Sequence, residues 1–334
     1  MIFVRLPHSE VRLTYTTDWH TSGVPPGRRA SDYQEAILNK IKFVSDITEK
    51  IQGASLCGAD VFHIKDPRNH KANSVNLLVS LIHLLRCFPT GKVWGGIGNH
   101  DLSWDRMDSL PTQPLGLLIA AQVYHNLCAE SVIFTNQDES VKVLVEAFPY
   151  EDEISTLNRI KEAGKTRPQD VDYRIGLVHS YGAPGDRGNI YSSPVIGYNE
   201  LKDVEYDFLL WGHDHSRKET MTVGKVTHVH LGSLARAALN YDEVDRPVSI
   251  AIMAFSKEGI KFQEKPIPVK PLNLAFVTSD KGMDTVSKTD EMKEFFSTME
   301  TAVGGIETSD PREFLQSLCD DTKLLGLVHE LCSL

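Results

Sequence analysis

Five short polar segments, each closing an apolar run, constrain this 334-residue chain more than any other feature of it. Residues 12–17 (RLTYTT) read as a strand that ends at Asp18, residues 54–58 as a second that leads into Asp60, and residues 92–97 as a third that leads into Asn99 and His100. Further strands are expected over 141–147, 173–178 and 206–211, the last two running into His179 and His213. Apolar runs of this length bounded by polar clusters favour strands. Between them lie helical patterns: Ile37, Ile41, Val44 and Ile51 recur on one face of a helix capped near Ser31. Strands alternating with helices define an α/β domain. In such domains ligand groups collect beyond the carboxyl ends of the strands, so one sheet is expected to gather Asp18, Asp60, Asn99, His179 and His213.

The residue types at those ends suit one chemistry. Asp18-Trp19-His20, Gly58-Ala59-Asp60, Gly98-Asn99-His100-Asp101, Val178-His179 and Gly212-His213-Asp214-His215 supply oxygen and nitrogen ligands for Mn²⁺, Fe²⁺ or Zn²⁺. A carboxylate bridges two cations readily, whereas an imidazole does not. Two cations about 3.5–4 Å apart clamp the attacking and leaving oxygens of a phosphoryl displacement and acidify water. A single histidine or aspartate is more often structural than catalytic; the ordered set carries the reading. His70, His83, His125, His228 and His230 stand outside it and read as structural or solvent-facing.

Beyond residue 216 the pattern turns to β, with strands over 219–230 and 248–263. From about residue 265 a proline-containing linker (KPIPVKPLN) leads to helical patterns, dividing the chain into 1–265 and 266–334. Residues 76–88 are apolar on nearly all sides and read as a buried helix; the apolar segment 115–123 either fills the core or serves a homodimer. Five cysteines, odd in number and scattered, argue against a disulfide framework, with Cys57 and Cys87 read as small buried hydrophobes. No apolar run is long enough to cross a bilayer, and the first ten residues lack a secretory signal, so a cytoplasmic location is expected. The net charge of -10 weighs mildly against a nucleic-acid substrate, since proteins that grip nucleic acid through their surface are usually basic.

The ordered set D-x-H, G-x-D, G-N-H-D, a lone histidine and G-H-x-H resembles the calcineurin-like metallophosphoesterase superfamily over residues 11–235. That resemblance implies a four-layer α-β-β-α sandwich, here with a short C-terminal helical extension, and two divalent cations, Mn²⁺ ahead of Fe²⁺ or Zn²⁺. It implies one cation on Asp18, His20 and His215, the other on Asn99, His179 and His213, and Asp60 bridging them. His100, held by Asp101, would then stabilise the transition state or protonate the leaving oxygen. Asp60-Val61-Phe62-His63 is also similar to the G-D-x-F-H segment of SbcD-like exonucleases, the nuclease subunits of double-strand-break repair complexes. There the matching histidine positions DNA, a role the resemblance gives to His63. His230-Leu231-Gly232-Ser233 followed by Arg236 is similar to that family's P-G-S-x-x-R. The implied partners are DNA as substrate, an SMC-like ATPase of the SbcC kind docked on the C-terminal helices, and a second copy of the chain.

Three departures bear on the substrate. Ala59 stands where the family has glycine, Leu231 replaces its proline, and the region after 265 is short, so the family's DNA-capping domain is expected to be reduced or absent, the segment 266–334 serving as a reduced cap or for partner docking. The alternative is therefore a phosphatase or small-molecule phosphodiesterase using the same metals. A basic rim drawn from Arg5, Arg28, Arg29, Lys65, Arg68, Lys71, Arg187 and Arg236 would favour the nuclease. A catalytically dead scaffold is disfavoured because every ligand and His100 are present.

Overall fold

Strands buried on both faces must be covered on both, and that requirement sets the layering. The computed structural model describes residues 1–186, 188–190, 193–238 and 246–277. Sixteen strands are described, namely β1 (Ile2–Arg5), β2 (Val11–Thr16), β3 (Ala54–Cys57), β4 (Val93–Gly95), β5 (Tyr124–Asn126), β6 (Val132–Thr135), β7 (Lys142–Phe148), β8 (Tyr173–His179), β9 (Gly182–Ala183), β10 (Gly188–Ile190), β11 (Ser193–Gly197), β12 (Phe208–Gly212), β13 (Met221–Val223), β14 (Val226–Val229), β15 (Ser249–Ser256) and β16 (Gly259–Pro266). Six form one sheet in the order β16-β15-β2-β3-β4-β5, and seven form another in the order β1-β6-β7-β8-β12-β14-β13. The remaining three, β10-β11-β9, make a small separate sheet. β2 to β5 run parallel, as do β7, β8, β12 and β14, so each large sheet sends its functional strand ends one way.

Leu13, Tyr15, Leu56, Trp94 and Met253 of the six-stranded sheet pack against Val132, Phe134, Val145, Leu177 and Leu210 of the seven-stranded sheet. The outer face of the first sheet is covered by α1 (Tyr33–Lys50), α2 (Val75–Arg86) and α3 (Pro114–Ala120) through Ile37, Ile41, Val44, Leu77, Leu81, Leu85, Leu115 and Leu118. The outer face of the second is covered by α4 (Glu153–Ala163), whose Leu157 and Ile160 meet Val178, Leu209 and Trp211. The fold is thus the α-β-β-α sandwich. Each fully buried Leu or Ile in these layers contributes about 1.5–3 kcal/mol of transfer free energy.

The structure corrects several local expectations. The helix over 75–86 is not buried all round: Leu77, Leu81 and Leu85 face the core at helical spacing, while Val75 and Val79 are exposed. Cys87, at its end, is exposed rather than buried. Leu115 and Leu118 pack into the core. β1 (IFVR) and β6 (VIFT) are rich in β-branched and aromatic residues although they lie outside the expected strands, and β5 (YHN) has no such pattern and is a strand through its pairing with β4.

The compact unit runs from Met1 to Val277. Residues past 265 continue on it: the Ile267 amide donates to the Val248 carbonyl, and α5 (Leu272–Ala275) places the Ala275 carbonyl to accept from the Ala30 amide. The helical patterns expected after residue 285, together with Arg187, lie outside the described residues.

Candidate metal centre

The five polar segments meet, but not on one sheet. β2, β3 and β4 deliver Asp18, Asp60 and Asn99 from the six-stranded sheet; β8 and β12 deliver His179 and His213 from the other. The expectation of a single sheet is therefore corrected: the centre lies where the carboxyl ends of two stacked sheets face each other. Two bonds fasten that junction. The Tyr15 hydroxyl donates to the Trp211 carbonyl at 2.9 Å, and the His213 amide donates to Asp18 Oδ1 at 3.1 Å. Gly212 allows the sheets this close, because a Cβ there would sit 2.4 Å from Thr17 Oγ1.

All seven nominated ligands converge with His63 and His100. Asp18, His20 and His215 form one group, and Asp60, His179 and His213 a second, the ligand atoms of each lying within 4.8 Å of one another. Asn99 Oδ1 joins the second group, 3.3 Å from His179 Nε2 and 3.2 Å from His213 Nδ1. Asp60 stands between the two: its Oδ2 is 3.8 Å from His20 Nε2 and 3.3 Å from His179 Nε2. His20 and His215 turn their Nε2 atoms to 2.8 Å from each other.

The donor set fits divalent cations. Imidazoles bind metal through a neutral ring nitrogen. Burial lowers His20 well below its ordinary value, helped by His215, and burial holds His213 at about 3, so both present lone pairs. For His179 burial pulls down, but the Asp60 carboxylate outweighs it and raises the ring to about 9. The same pairing, chiefly with His179, holds Asp60 below the usual carboxylate range despite its burial. A Cβ on Gly98 would fall 2.0 Å from Asp60 Oδ1 and 2.8 Å from His179 Nε2, so only glycine leaves room for this cradle.

The backbone is strained where the ligands are. Asp18, His20, Asp60 and His213 have φ of +50°, +45°, +49° and +82°, and Ala59 has φ of +145°. Non-glycine residues held at positive φ cost on the order of 1–3 kcal/mol each and cluster at functional sites. At Ala59 the chain accepts that cost, where a glycine would adopt the same conformation freely.

Asp101 does not hold the His100 ring. Its Oδ2 accepts from the Gly98 and Asp60 amides and its Oδ1 from the Val61 amide, so it ties the Gly58–Val61 turn to the Gly98–Asp101 turn. His100 is set instead by its Nδ1, 2.7 Å from the His63 carbonyl oxygen, and its amide donates to Asp60 Oδ1 at 2.9 Å. The His63 and His100 rings lie 5.7 Å apart and stack at 18°. His228 and His230 are buried behind the site, His228 accepting from Trp211 Nε1.

Much of the expected basic rim is engaged elsewhere. Lys65 reaches the centre, donating to the Asn99 carbonyl at 3.4 Å. Arg68 pairs with Asp66, Arg29 and Arg236 are buried beside Phe276, and Arg5 pairs with Glu139 on the β1 side. Two residues carried no signal in the sequence: Tyr150 and Tyr181, whose rings lie 5.0 and 4.4 Å from that of His213. Each falls two residues beyond the end of a strand, β7 and β8, which is the only hint they give.

No protein-family model matches the chain, and no curated protein matches it. Solved structures similar to it include TT1561 of Thermus thermophilus (8% identity, 78% of this chain and 100% of that one, TM-score 0.43). Others are a conserved protein of Streptococcus pneumoniae TIGR4, titled a predicted phosphoesterase (12%, 78% and 94%, 0.33), and Vps29 of Chaetomium thermophilum (14%, 78% and 97%, 0.31). At these TM-scores the fold assignment rests on the chain's own strand order and layers. Those layers and the histidine–carboxylate groups define an α/β sandwich with side chains able to hold metal ions.

Proposed function

We propose that this chain is a two-metal phosphoesterase that cleaves phosphodiesters, of the SbcD-like nuclease kind. The observation that supports it is Asp60 standing between two histidine-containing ligand groups, with His100 beside them. Two divalent cations bound there supply Lewis acidity to phosphoryl oxygens and acidify water, with Mn²⁺ favoured by the family resemblance. Asp18, His20 and His215 would hold one, Asn99, His179 and His213 the other. The Nδ1–H of His100, donated to the His63 carbonyl, fixes the ring and leaves Nε2 for the proton of the leaving oxygen. His63, whose ring stacks on that of His100, would orient a strand on one side of that ring.

The experiment is cleavage by the Mn²⁺-loaded protein of single- and double-stranded DNA and of a small phosphodiester. His100→Ala should abolish turnover while metal analysis still finds bound cations; His63→Ala should impair exonuclease more than endonuclease cleavage. Intact DNA alongside turnover of the small diester would select the second reading, a small-molecule phosphoesterase. The pairing of Arg68 and Arg5 with carboxylates and the burial of Arg29 and Arg236 favour that second reading, because a polyanion is gripped by accessible cations. Partner binding through the segment after residue 285 is proposed on the resemblance alone; deleting 286–334 should abolish capture of an SMC-like ATPase and leave small-diester cleavage intact. Association with a second copy is proposed on the same ground, with sedimentation as its test.

A further inference from the structure

The described tyrosines divide into two sets. Tyr15, Tyr33, Tyr124, Tyr173 and Tyr206 donate their hydroxyls to protein acceptors, and Tyr198 meets His230. The hydroxyls of Tyr150 and Tyr181 meet no protein group among the described residues. A buried tyrosine hydroxyl usually finds a protein partner, whereas these two leave the phenol and part of the ring face open to whatever occupies the site. Both rings are half-buried, and both stand against the same ligand, His213.

Their backbones, by contrast, are fixed. The Tyr150 amide donates to the Ile97 carbonyl at 3.1 Å, joining one sheet's strand end to the other's. The Tyr181 carbonyl accepts from the Ile196 amide at 2.9 Å. The result is a pre-positioned aromatic wall on the Asn99/His179/His213 side of the centre. A wall with anchored backbones loses little entropy when a flat ring settles on it. Trp104 is 87% exposed at φ of +54°, on the turn that follows His100.

We propose that Tyr150 and Tyr181 form a stacking subsite for a nucleobase whose sugar carries the phosphate bound at the centre. The substrate class is then a nucleoside phosphoester, either a free nucleotide derivative or the end of a nucleic-acid strand. This rests on the phosphoesterase reading for what happens to the phosphate, but not for the binding itself. Stacking suits the sparse rim: base–aromatic contacts contribute about 1–3 kcal/mol per base and need no run of lysines.

The test is calorimetric binding to the full-length Mn²⁺-loaded protein, which requires no turnover. Adenosine 5′-monophosphate is compared with inorganic phosphate on the wild type and on Tyr150→Leu, Tyr181→Leu, Tyr150→Phe and Tyr181→Phe. The wild type should bind the nucleotide at least about fivefold more tightly than phosphate, the lower end of what one stacked base contributes. Each leucine variant should lose most of that ratio through weaker nucleotide binding, and each phenylalanine variant should keep it. Equal wild-type affinities for the two ligands would overturn the proposal. So would leucine variants that weaken both ligands equally, since the rings would then merely brace His213. A short oligothymidylate separates the two sources: tighter binding than the mononucleotide assigns the strand, equal binding the free nucleotide, and both outcomes support the subsite. Failure of every phosphodiester to be cleaved would count against the hydrolase reading and leave this binding result standing.

Discussion

At the scale of the residue, the centre is assembled under strain. Ala59, at φ of +145°, occupies backbone territory that glycine enters freely. Ala59→Gly should raise the unfolding free energy by about 1 kcal/mol, the relieved strain exceeding the added freedom of the unfolded chain. Urea unfolding measures it; a loss of stability would mean that the observed φ carries no cost. Gly98→Ala should do the reverse. Its Cβ would displace Asp60 Oδ1 or His179 Nε2, so metal analysis should find at least one cation fewer per chain, with little change in far-UV dichroism.

At the scale of the element, turns rather than strands decide where the ligands point. Asp101 joins two of them by accepting three amides. Asp101→Ala leaves those donors buried and unpaired, each costing about 1–3 kcal/mol. A fall of at least about 3 kcal/mol in unfolding free energy, with weakened metal binding, is expected from urea titration and metal analysis. If His100 depended on Asp101 directly, activity would fall without that loss of stability. The longer strands of the two sheets were legible because β2, β7, β8 and β12 are dense in β-branched, aromatic or other apolar residues. The role of Asp101 was not legible, since adjacency in G-N-H-D says nothing of which amides a carboxylate will reach.

At the scale of the whole molecule, the covered outer face of the seven-stranded sheet sets an acid limit. Burial holds His228, stacked on Tyr198 and bonded to Trp211, down to about 3. Unfolded, a histidine titrates near about 6.5. The folded state therefore binds fewer protons below that value: the stability is complete above about pH 6.5 and drains away as pH falls toward about 3. The slope is about 1.4 kcal/mol per pH unit, or about 2 kcal/mol between about pH 6.5 and 5. His228→Gln, which keeps an acceptor for Trp211, should lose about 2 kcal/mol less than the wild type over that interval in paired urea titrations. Equal losses would place the acid sensitivity elsewhere.

The sequence by itself determined the chemistry of the centre: which side chains can hold cations, in what order, and that each follows a strand. That much is local, because ligand type is residue type and a strand announces itself within a few residues. Only the tertiary structure decided that two sheets, not one, bring those ends together, since pairing between strands far apart in the chain leaves no trace in either partner's pattern. It alone set Asp101 on backbone amides, buried Arg29 and Arg236 out of the expected rim, and stood Tyr150 and Tyr181 against His213. Each depends on what lies across a gap in space, and no residue encodes its neighbour across such a gap.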